Sequence, residues 1–136
     1  MTPMSFEAVT KIESILGAAL PADYRAFLAT HDTKYLEPPL LVRHIVPVPG
    51  SGPEDVVTAL YTATDIVDSE LLGEPEEKMV IVGHVEPGGY LYMCFAPANF
   101  GSMHVRFPYQ DKTFYPVGKS FSEFKARCRP DPESDV

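Results

Sequence analysis

Side chains that react or coordinate are sparse in this chain. Its histidines are His31, His44, His84 and His104, and its only cysteines are Cys94 and Cys128. A zinc site needs such ligands in close pairs, as in HExxH or Cys-x-x-Cys. Here they are scattered, and His84 and His104 can meet only if their strands are neighbours. A Cys–His hydrolase needs a cysteine beside a histidine that an acid orients. Cys94 sits inside the apolar run YLYMCFA, near Tyr92 and Phe95, which reads as a packed position. A phosphate loop needs set glycine spacing and a lysine, and GEP, PGGY and FGSM have neither. Paired carboxylates for glycoside cleavage need a cleft that composition cannot reveal. These readings predict no metal, no cofactor and no enzyme; a small enzyme built on Cys94 or His104 ranks last among the alternatives.

Contact chemistry is better represented. In MHVRFPY, Met103, Val105 and Phe107 alternate with His104 and Arg106. In YLYMCFA, Tyr90 and Tyr92 lie opposite Leu91, Met93 and Phe95. On a strand, one such set faces the core and the other faces out. Tyrosine and arginine anchor interfaces because they combine broad contact area with hydrogen bonding. The predicted protein-binding residues are Tyr35, Tyr90, Tyr92, His104, Arg106 and Tyr109. The competing reading is that these strand aromatics simply pack.

The elements that must hold these residues follow from periodicity. Phe6, Val9, Ile12 and Leu16 recur at spacings of three and four, one face of a helix. Ser5 is its expected cap, and Gly17 its expected end. LPADYRAFLATHD predicts a second helix with Pro21 and Asp23 in its first turn and Tyr24, Phe27 and Leu28 on one side. Together they make a helical hairpin. Residues 32 to 56 read as loop around one short strand, LLVRHIV, because Pro38, Pro39, Pro47, Pro49 and Pro53 interrupt longer elements. VVTALY reads as a strand. TDIVDSELLG reads as a short helix capped by Thr64 or Asp65 and stopped by Gly73. From residue 79 the period becomes two, and MVIVGHV, YLYMCFA, MHVRFPY and TFYPV are strand candidates. PGG, residues 87 to 89, is a hairpin turn. KSFSEFKARC closes with a helix whose Ser120 and Glu123 form a capping box.

Short links between the strands argue for an antiparallel meander. Helices at both ends then give an α+β domain with helices packed on one face and the other face open. A length of 136 residues suits one domain, here 1–129, with 130–136 a polar tail. The formal charge of -8 supplies no positive field for nucleic acid. It suits a basic protein partner, with a monomer or weak homodimer as the assembly. No long apolar run suits a membrane, no secretory signal shows, and two thiols fit a reducing compartment, so the expected location is the cytoplasm.

Three stretches share a pattern. IESILGAALPADYRAFL carries Leu16–Gly17, Leu20–Pro21, Asp23–Tyr24 and Phe27–Leu28; MVIVGHVEPGGYLYMCF is strand, glycine turn and strand; FYPVGKSFSEFKARC is a final strand and helix. Their order over residues 6–128 resembles the SUKH superfamily, which includes yeast cell-wall-synthesis regulators and bacterial immunity proteins. The chain departs from it at His31–Asp32–Thr33, where asparagine-glycine-glycine is frequent, and at Cys94–Phe95–Ala96. The resemblance implies an α+β domain with no catalytic set. It also implies an immunity-type inhibitor that neutralises a toxin by stoichiometric binding, with a basic nuclease-type toxin as the fitting target. A regulatory or scaffold module is the alternative it implies.

Overall fold

The computed structural model describes residues 3–31, 33–43, 45–46, 54–68, 73–74, 78–86, 88–107 and 113–130. Their elements run α1 (Pro3–Leu16), α2 (Ala22–Thr30), β1 (Tyr35–Arg43), β2 (Glu54–Leu60), α3 (Ala63–Asp68), β3 (Gly73–Glu74), β4 (Met79–Glu86), β5 (Gly89–Cys94), β6 (Met103–Arg106), β7 (Tyr115–Gly118), α4 (Phe121–Arg127) and β8 (Cys128–Pro130). The sheet is antiparallel throughout, in the order β7-β6-β5-β4-β2-β1-β8, with β3 paired to the start of β4. This is an α+β fold with an N-terminal helical hairpin and a C-terminal helix. The run β4 to β7 is the predicted meander.

The core lies between helices and one sheet face. Val9, Ile12, Leu20, Tyr24 and Leu28 from the hairpin and Phe121 and Phe124 from α4 meet Val57, Val85, Leu91, Met93, Met103, Val105 and Phe107 from the strands. Gly17 ends α1 in the left-handed region, with φ 72. Glu13 then ties the hairpin: its carboxylate accepts from Leu20 N–H at 2.7 Å and faces Arg25 Nε at 3.5 Å. Asp23 reaches from α2 to α4, where its carboxylate accepts from the N–H and the hydroxyl of Ser122, both at 2.9 Å.

Several local expectations change. Ser5 lies inside α1, which begins at Pro3, so it is not the cap. Pro21 is the N-cap of α2 and precedes its first turn. The cap of α3 is Thr62, because it and Asp65 exchange hydrogen bonds: Asp65 N–H donates to Thr62 Oγ1 at 3.1 Å, and Thr62 N–H donates to Asp65 Oδ2 at 3.1 Å. The helix ends at Asp68, and Gly73 belongs to a strand. Ser120 Oγ accepts from Glu123 N–H as predicted, but Glu123 reaches back to Lys119 N–H and not to Ser120. Residues 35–39, expected as loop, are strand, and they lead into the predicted strand at Leu40. The prolines at 38 and 39 are accommodated where the β1–β2 register slips between Tyr35 and Leu40, since a bulge spares them the ladder bonds they cannot make. Pro130 pairs with Leu40 at the edge of the sheet.

The second sheet face is not wholly open. Met79, Tyr92 and Cys94 are buried there, with Ile81, Tyr90, Ala96 and Phe114 packed against them. Every strand residue of β5 from Leu91 to Cys94 is therefore buried, on alternating sides.

Candidate functional site

Beside that small cluster, β1, β2 and β4 frame a surface hollow of about 300 Å³, lined by Lys34, Tyr35, Thr58, Tyr61, His84 and Glu86. The backbone holds it from both sides. Leu60 N–H donates to Lys34 O at 3.0 Å, and Tyr61 N–H donates to Val82 O at 2.9 Å. Tyr35, paired with Ala59 across the ladder, is 67% exposed. The Lys34 ammonium lies over two rings, 5.2 Å from the centre of Tyr35 and 5.1 Å from that of Tyr61. Partial burial pushes the Tyr61 phenol up, and Lys34 pulls it the other way. His84 meets Thr58 Oγ1 at 3.2 Å through Nδ1, and Glu86 stands 3.9 Å from the same nitrogen. Tyr90, across the ladder from His84, places its ring edge-on at 5.7 Å.

Of the predicted contact residues, Tyr35 and Tyr90 flank this region, joined through Tyr61 and His84. Tyr92 and Arg106 were expected to face out on an open sheet, and both are buried, at 3% and 9% exposure. Phe114 packs edge-on against Tyr92 at 4.9 Å and lies under the Arg106 guanidinium at 5.1 Å. Neither offers a free surface. His104 is half-buried further across the sheet, and Tyr109 falls outside the described residues. Lys34, Tyr61 and Glu86 were missed. Tyr61 directly follows β2 and Glu86 ends β4, strands whose alternation says nothing about register, and Lys34 lies in the stretch read as loop.

The reactive groups are placed differently from a catalytic centre. β5 separates β4 from β6, so His84 pairs with Tyr90 and His104 with Tyr92, and the two histidines are not neighbours. His31 binds the Leu60 carbonyl, tying α2 to β2, and His44 lies outside the described residues. Among the described residues no group of three His, Cys, Asp or Glu could hold a metal ion. Ser102 Oγ and His104 Nε2 are 2.8 Å apart, but His104 Nδ1 is buried and finds no partner among the described residues. A triad would need an acid there. Burial holds the His104 imidazole below its usual range. Cys94 is 3% exposed, between Met79 and Tyr92. Cys128 is a free thiol pushed up to about 11 by burial, against the opposing pull of Lys125 and Arg127; a thiol so raised is a poor nucleophile at neutral pH.

A second, more apolar hollow of about 750 Å³ opens between the end of α1 and the start of β4, with Ile15, Met79, Phe95, Phe100 and Lys78 among its lining. Ile15 and Phe100 are exposed there. No described helix is long and apolar enough to cross a membrane. No curated protein and no solved structure matches the chain. The SMI1 / KNR4 family (SUKH-1) does, over residues 3–127, which takes in the helical hairpin, the hollow at Tyr35 and the closing helix; the chain belongs to that family.

Proposed function

We propose that this domain is a non-catalytic protein-binding inhibitor, acting in the cytoplasm as an immunity-type protein that neutralises a bacterial toxin by forming a stoichiometric complex. The observation that carries the reading is the Tyr35 hollow: a strongly exposed aromatic ring with Tyr61 in the same lining and Tyr90 against His84 beside it, in a molecule of charge -8. Exposed tyrosines on a fixed scaffold supply contact area at little entropic cost. The acidic balance favours encounter with a basic protein, and nuclease toxins are basic because they hold phosphate backbones. The domain acts as a monomer or weak homodimer, and Tyr35 and Tyr90 belong to its contact surface.

The test is capture of the partner from the native strain with the protein as bait, followed by titration. The captured protein's toxic activity should fall in proportion to added inhibitor and vanish near equimolar amounts. Full activity at excess inhibitor would reject inhibition and leave a regulatory or scaffold module as the role.

A further inference from the structure

Resting on that reading, we infer that the hollow between Tyr35, Tyr61 and Glu86 is a docking cage for a cationic side chain of the partner, an arginine above all, and that Lys34 occupies it in the free protein as an internal stand-in. The geometry already holds one cation: a single ammonium lies 5.2 and 5.1 Å from two tyrosine ring centres. Ring faces arranged in this way attract positive charge, and a guanidinium stacks on them better than an ammonium does. Among the described residues, the contacts of the Lys34 ammonium are these two ring faces.

Glu86 lines the same hollow, and its near neighbour at 3.9 Å is His84, a charged partner only when protonated. Its carboxylate can therefore accept a guanidinium in two-pronged fashion, the geometry arginine favours. The whole-molecule charge of -8 draws cations toward the surface. Lys34 sits on a flexible stem and can swing aside as the incoming cation takes its place. Lys34 would then lower affinity, because its departure costs part of each binding event.

This fixes the sign of one mutation. N-acetylarginine amide serves as the probe, its neutral isostere N-acetylcitrulline amide as control, and the tyrosine ring resonances as readout. Wild-type protein should show shifts at Tyr35 and Tyr61 with arginine and none with citrulline. Lys34→Met should bind arginine about threefold tighter, the scale of one exposed cation–π contact. Tyr35→Leu and Glu86→Gln should bind more weakly than wild type, with unchanged melting temperatures. The inference is overturned if arginine shifts neither ring in wild type or Lys34→Met, or if citrulline acts equally. It is also overturned if N-acetylglutamate amide binds and Lys34→Met abolishes that binding, which would mark an anion site. A toxin neutralised equally well by wild type, Lys34→Met and Tyr35→Leu would sink the cage and leave the inhibitor reading intact. Arginine binding without any neutralised toxin would do the reverse.

Discussion

Tyr24 and His104 each carry a buried polar atom that finds no partner among the described residues, and each predicts a measurable effect. Tyr24 is packed against Phe27 and Phe121, and its hydroxyl finds no partner among the described residues. Burial pushes that phenol up. An orphaned hydroxyl contributes nothing that a hydrogen atom would lose. Tyr24→Phe should leave stability unchanged or raise it by up to about 1 kcal/mol, read by denaturant unfolding; a clear loss would reveal a missing partner. His104 works through protons. Its imidazole titrates lower in the folded state than the usual 6.5 of the unfolded chain, so below that pH the unfolded state binds more protons. Stability should be complete above pH 6.5 and fall progressively as pH drops toward the folded value. His104→Gln should flatten that part of the stability profile. Equal slopes in the two proteins between pH 7.5 and 5 would assign the acid loss to other groups.

At the scale of elements, α4 is held by its cap and by close approach to β7. Ser120 Oγ accepts from Glu123 N–H at 3.0 Å, so Ser120→Ala should cost about 1 kcal/mol. A side chain at Gly118 would meet the Phe124 backbone nitrogen at 2.8 Å and its Cα at 3.0 Å. Backbone cannot turn aside as a side chain can, so Gly118→Ala should cost about 1–3 kcal/mol, the range of overpacking. Thermal unfolding that places Gly118→Ala level with wild type would mean that β7 and α4 separate easily. The helices and the meander were legible in the sequence because their periods of 3.6 and two survive in local spacing. Val9 and Ile12, or Leu91 against Tyr92, needed no tertiary knowledge. The strand through Pro38 and Pro39 was hidden, since a bulge depends on the partner strand. The Tyr35 hollow was half legible. A tyrosine in a proline-rich stretch signals exposure, but Lys34, Tyr61 and Glu86 join it only through the register of β1, β2 and β4. Arg106 and Tyr92 were misjudged for the same reason: alternation predicts the side of the sheet, not that Phe114 will lie across it.

For the whole molecule, the proposed inhibition would divide the work of association between charge and shape. An acidic inhibitor and a basic partner attract over a distance set by ionic strength. Raising salt from 50 to about 500 mM should slow association by at least tenfold while changing dissociation far less. Stopped-flow mixing with the captured partner measures both, and a salt-independent on-rate would remove charge from the account.

The last strand joins β1, the first strand of the sheet, with Leu40 to Val42 opposite Cys128 to Pro130. A ribosome delivers these two segments at widely separated moments. Until residue 130 has emerged, one flank of β1 has no mate, and an exposed ladder of amides can recruit a neighbouring nascent chain. The proline pair at 38 and 39, which supplies no amide donors, shortens that exposed ladder on the strand whose second partner is made last.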